Sequence, residues 1–99
     1  MGRNAERVYT EQADIARLEA IVKALDIGDR VSLLLDDGEV VQGAIADRPR
    51  MQMFLDPQGR EGMNGTVRLD EEAMERPEQA GWRDLWIDRI REVRHHNPP

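Results

Sequence analysis

Thirteen of the 14 basic residues in this 99-residue chain are arginine, the side chain whose planar fork suits phosphate and ring stacking. Arg48, Arg50, Arg60, Arg68, Arg89, Arg91 and Arg94 are the groups that could hold a phosphate backbone, although neighbouring acids compete for them. The other chemistry-bearing residues read as structural. His95 and His96 are adjacent near the C-terminus, with no third ligand and no partner to orient them, so they read as a solvated tail. Asp36 and Asp37 precede Gly38, which is turn chemistry rather than an acid and base pair. Asp70, Glu71, Glu72, Glu75 and Glu78 lack the spacing and central glycine of a calcium loop and read as a solvated helix face. Ser32 is the single serine, in a strand pattern with no histidine expected nearby, so no hydrolase triad assembles. No catalytic residue, metal site or cofactor is expected.

Composition narrows the class. With 39% apolar residues the chain makes one domain with a modest core, which partner contacts can complete. The net charge of -6 repels nucleic acid and anionic membrane as a whole. That acidity is local, because residues 70–81 carry five carboxylates and one arginine, whereas 47–69 and 82–99 are each slightly basic. A nucleic-acid face therefore stays open. The chain has no cysteine, no signal-like segment and no 18-residue apolar run, which points to a cytoplasmic protein that is not in a membrane.

The elements that must position these residues start at Arg30. Val31, Leu33 and Leu35 alternate with Arg30, Ser32 and Leu34, giving a strand over 30–35 with one buried face. Asp37-Gly38 supplies a two-residue hairpin turn, because this pair tolerates positive φ. The return strand covers 39–47 with Val41, Gly43 and Ile45 on one face. Gly43 marks a sharp bend or the close approach of another backbone. Arg48-Pro49-Arg50 breaks the ladder, and Met51, Met53 and Leu55 resume the alternation over 50–56. Upstream, residues 1–9 are expected to be flexible. Thr10 caps a helix over 10–26, with Ile15, Leu18, Ile21, Val22 and Leu25 on one stripe and Gly28 as its C-terminal stop. Downstream, 57–65 reads as a loop and 66–69 as a short strand. Asp70 caps a short helical stretch within an acidic insert over 70–81. Trp82, Trp86, Ile90 and Val93 fit an amphipathic helix, but 85–94 also reads as two short strands around Asp88-Arg89. Residues 95–99 form a tail.

The run Leu35, Asp37-Gly38, four residues, Gly43 and Ile45 resembles the first motif of the Sm-like barrels. The whole chain, with its leading helix, acidic insert and tryptophan-bearing end, resembles an uncharacterised bacterial family of small Sm-like variants. The resemblance implies a mainly β fold: a small SH3-type open barrel of about five bent antiparallel strands, with an N-terminal α-helix and a short helical insert between late strands, spanning 10–94. Two closing strands over 85–94 suit such a barrel and are preferred to the helix. Gly38 and Gly43 are then the fold-defining positions.

The resemblance also implies where RNA would bind. The RNA-binding Sm-like families use an acid, then a hydrophobic residue and an asparagine on the third strand, and an Arg-Gly step at the fourth-to-fifth strand junction. This chain carries Arg48 in place of the acid, Met51 at the hydrophobic position and Gln52 in place of asparagine, while Arg91 is followed by Glu92. The pocket is degenerate. Two roles follow as expectations: a non-catalytic interaction module that self-associates, with a dimer favoured, or a weak single-stranded RNA binder using Arg48, Arg50, Met51, Gln52 and Arg91. Another protein is a third kind of partner. Leu34, Val40 and Phe54 lie off the expected core face; some are expected under the helix, and any remainder forms a patch suited to subunit contact.

Overall fold

A computed structural model describes residues 3–71 and 81–96 of the chain. In order, these form β1 (Arg3–Asn4), α1 (Gln12–Lys23), β2 (Arg30–Leu35), β3 (Val40–Leu55), β4 (Glu61–Glu71), β5 (Gly81–Trp86), a 3-10 turn (Ile87–Arg89) and β6 (Ile90–His95). The sheet order is β5-β4-β3-β2-β6, antiparallel throughout, with β1 added parallel to the end of β3. The 3-10 turn joins strands at opposite edges of that order, so the sheet must curl for the chain to pass from one to the other. Residues 82–93 are therefore two strands around a turn and not a helix.

Alternation places the core as the sequence reading expects. Val31, Leu33, Leu35, Val41 and Ile45 are buried on the inner face, joined by Val67, Leu69, Leu85, Ile87 and Ile90 from the later elements. The helix adds Leu18, with Leu25 following it in the connection to β2. Burying a leucine of this kind contributes about 2 kcal/mol.

The two hairpin turns share one geometry. In the first, Gly38 N–H donates to Leu35 O at 3.0 Å, and Leu35 N–H donates to Glu39 O at 2.8 Å. Positive φ is confined to Gly38, at +89°, so this is a three-residue loop ending in a left-handed glycine rather than the expected two-residue turn. The second repeats it at Asp56 to Arg60, with Gly59 at φ +80°. There the Asp56 carboxylate accepts the backbone N–H groups of Gln58 and Arg60 at 2.9 and 2.8 Å.

Several boundaries differ from the sequence reading, each for a local reason. The helix begins after Glu11, which takes the N-cap position in place of Thr10, and it ends at Lys23. Gly28 adopts φ +88° in the turn that leads to β2, so it is not the residue that ends the helix. Arg48-Pro49-Arg50 does not interrupt the strand; β3 runs through it, and the irregular pairing with β4 near Asp47 and Arg50 absorbs the proline. β4 starts at Glu61 because Gly62 and Gly65 accept backbone neighbours that a side chain would exclude. A Cβ on Gly62 would sit 2.9 Å from Tyr9 N, and one on Gly65 would sit 2.6 Å from Arg50 O. Asp70 and Glu71 complete β4 rather than cap a helix. The rest of the expected helical insert, 72–80, lies outside the described residues.

Of the segment 1–9 expected to be flexible, residues 1 and 2 lie outside the described residues and the rest is held. Ala5 N–H donates to Leu55 O at 2.9 Å, and Tyr9 and Met63 exchange two backbone hydrogen bonds at 2.9 and 2.7 Å. Near the other end, His95 belongs to β6 and His96 N–H donates to Arg30 O at 2.8 Å, so neither is a loose tail.

Gly43 answers to close approach. A Cβ there would lie 2.1 Å from Asp70 O on β4. Only a residue without a side chain lets β3 pair with Val31 on one side and Glu71 on the other at this point.

Candidate functional site

Arg48, Arg50 and Gln52 occupy alternate positions on β3, and a strand presents such residues on one face. Together with Arg3, Asp47, Thr66, Arg68 and Asp84 they line a cleft of about 340 Å³. Four guanidinium groups face two carboxylates there, a local surplus of positive charge on a chain that is acidic overall. Existing bonds fix most of the walls. Arg3 Nη1 donates to Gln52 Oε1. Arg68 grips Asp84 through Nε and Nη2 at 3.0 and 3.3 Å, which holds its guanidinium firmly charged. Arg48 lies 3.5 Å from Asp26 in an exposed pair. Arg50 has no ion pair among the described residues.

Met51, between Arg50 and Gln52, turns to the opposite side and packs on the core. Arg91 lies on β6 and does not line the cleft. Of the five residues named for RNA, the fold thus brings together three and separates two. It adds Arg3 and Arg68, which come from β1 and β4, the strands that pair with β3, and carry no local pattern in the sequence linking them to it.

Trp82 stands beside Arg68. The Arg68 guanidinium carbon lies 5.2 Å from its ring centroid, and the side chain is 69% exposed. Trp86 instead meets Phe54 edge-on, with centroids 5.1 Å apart. Neither tryptophan belongs to the main core cluster.

A second surface lies on the outer face of β2, β3 and β6. Leu34, Val40, Ser32, Gln42, Glu92, Arg94 and His96 line a mostly apolar groove, also of about 340 Å³. The helix does not cover it, because α1 packs over β3, β4 and the 3-10 turn. Val40 is 55% exposed. Of the three apolar residues set off the core face, Phe54 alone is buried, against Trp86. In the same groove Ser32 Oγ and His96 Nε2 share a 2.5 Å hydrogen bond. The chain's serine therefore does have a histidine partner, brought from 64 residues away. No carboxylate pairs with that histidine among the described residues, so the two lack the third group of a nucleophilic triad. His95 points elsewhere, donating from Nε2 to Ala24 O at 2.7 Å.

The aspartates at the first turn have a structural task. Asp36 is bonded by Arg89 at 3.2 Å and by Arg7 at 3.2 Å, and Asp37 by Arg89 at 2.9 Å. Hydrogen bonding from Arg89, then from Arg7, holds the Asp36 carboxyl below its ordinary pKa. These bonds tie the turn to the 3-10 turn and the N-terminal segment. Among the described residues, no three histidine or carboxylate side chains are grouped to hold a metal ion, and no helix is long and apolar enough to cross a membrane.

Residues 2–96 match the family model Domain of unknown function (DUF3247). The chain is also similar to a protein from Xanthomonas campestris whose crystal structure adopts a novel variant of the Sm-like motif. The two are 45% identical over 100% of both chains, with a TM-score of 0.81. No curated protein matches.

Proposed function

The chain belongs to the family Domain of unknown function (DUF3247), with a fold that is a variant of the Sm-like motif, and on that basis we propose that it is a non-catalytic interaction module that self-associates as a dimer. The observation that carries this reading is the uncovered outer face at Leu34 and Val40. Glu92 and Arg94 flank that face, two residues apart on one strand and 3.1 Å from each other. A two-fold contact is self-complementary by construction, so it would set Glu92 of one copy against Arg94 of the next while covering both apolar residues. Two-fold dimers are also the commonest closed assembly. The test is sedimentation velocity over a wide concentration range. A species of twice the 11.4 kDa chain mass should form, and Val40→Glu should abolish it without unfolding the protein. A monomer at every concentration would overturn the reading.

The arginine cleft supports a second reading, weak binding of single-stranded RNA through its phosphates. Its support is the gathering of Arg48, Arg50 and Gln52 with Arg3 and Arg68 around one opening. Binding of this type falls steeply as salt rises. Oligonucleotide titration at low salt, repeated with Arg50→Ala, tests it; absence of binding would remove it.

A further inference from the structure

From the stacking of Trp82 on Arg68, one wall of the arginine cleft, we infer that cleft and tryptophan form one site for a base joined through its sugar to two or more phosphates. The inference rests on the second reading above, anion capture by the cleft, and adds to it a ring platform that the sequence comparison with Sm-type pockets does not include.

Three observations carry it. First, Arg68 is shared: it lines the cleft and also stacks on Trp82, so the two features are contiguous. Second, Asp84 holds Arg68 by two bonds, which fixes the cation against one face of the ring. A guanidinium carbon at 5.2 Å from the centroid leaves no room for a second ring between them. The 69% exposure of Trp82 therefore belongs largely to the opposite face, where a base can stack. Third, the spacing fits. Arg50 pairs with Thr66 and Trp82 pairs with Asp70, so the two lie four β4 residues apart on either side of that strand, about 13 Å along it and about 10 Å across, a gap that the long arginine side chain can narrow. That span suits a nucleoside polyphosphate or a short step of extended single strand, whereas inorganic phosphate alone reaches only one end.

Trp86→Phe leaves Trp82 as the only tryptophan and so as a private fluorescence reporter. This variant is titrated with pyrophosphate, with ATP and with a short oligoadenylate, while calorimetry records binding in parallel. ATP or the oligonucleotide should quench Trp82, and pyrophosphate should bind without quenching. Arg50→Ala should weaken binding of the quenching ligand about tenfold, and Trp82→Ala should weaken it by a similar factor by removing the stacked ring. Quenching by ATP identifies a free nucleotide as the ligand; quenching by the oligonucleotide alone identifies a strand. Calorimetric binding of all three without quenching would leave anion capture standing and overturn the ring platform. Binding of none would overturn both, and quenching indifferent to Arg50→Ala would overturn the single site that joins cleft and ring.

Discussion

The hydroxyl of Tyr9 lies 2.9 Å from Oδ2 of Asp88, a hydrogen bond across 79 residues that ties the N-terminal segment to the turn joining the last two strands. Asp88 is nearly buried, with 3% of its side chain exposed, and Arg7 approaches the same oxygen at 3.3 Å. Removing any of the three partners would leave the others poorly satisfied.

Tyr9 is the only tyrosine, so absorbance near 295 nm titrates it alone. Its pKa is raised, first by burial and then by hydrogen bonding to Asp88. The midpoint should lie above the ordinary value of about 10 and fall toward it in Asp88→Asn. Tyr9→Phe should destabilise the fold by about 1–3 kcal/mol in urea melts. A midpoint at the ordinary value would remove this contact from the account.

Glycine substitutions should separate close approach from conformation. Gly43→Ala places a methyl against Asp70 O and should cost about 1–3 kcal/mol or more. Gly59→Ala meets no atom within 4 Å but forces φ +80° on an alanine, at about 1–2 kcal/mol. Gly81→Ala has neither difficulty and should be neutral or slightly stabilising. Equal losses at Gly43 and Gly81 in thermal melts would contradict the packing described for β3 and β4.

Acid should weaken the fold through the turn aspartates. The Asp56 carboxyl is held below its ordinary pKa chiefly by the backbone N–H of Arg60, then by the Arg60 side chain, and Asp36 is held down by Arg89. Because the folded pKa is the lower one, this stabilisation is complete above the unfolded value of about 4. It is lost as pH falls through the folded value. Urea midpoints between pH 6 and pH 2 should decline, and Asp56→Asn should be less stable at neutral pH with a shallower decline. Parallel curves for the two proteins would contradict the assignment.

Much of this architecture is legible in the chain, and the exceptions have physical causes. The alternation of Val31, Leu33 and Leu35 and of Val41 and Ile45 announces two strands because one face of each is buried. The helical spacing of Trp82, Trp86, Ile90 and Val93 misleads, since neither tryptophan joins the core cluster and a 3-10 turn separates them from Ile90. The N-terminal segment gives no periodic signal because backbone pairing and the Asn64 side chain, which donates to Arg7 O, hold it in place. At the cleft, Arg48, Arg50 and Gln52 are foreseeable from strand geometry. Met51 fails for the same reason, being the odd member of that alternation, and Arg3 and Arg68 arrive only through the sheet order.

The outer face at Leu34 and Val40 is tested most directly by exchanging the charges beside it. Sedimentation equilibrium on Arg94→Glu should show monomer, because two acids per copy would then meet across the contact, and the double exchange Glu92→Arg with Arg94→Glu should restore the dimer. Dimers of equal strength in all three proteins, or none in the unaltered chain, would contradict self-association through this face.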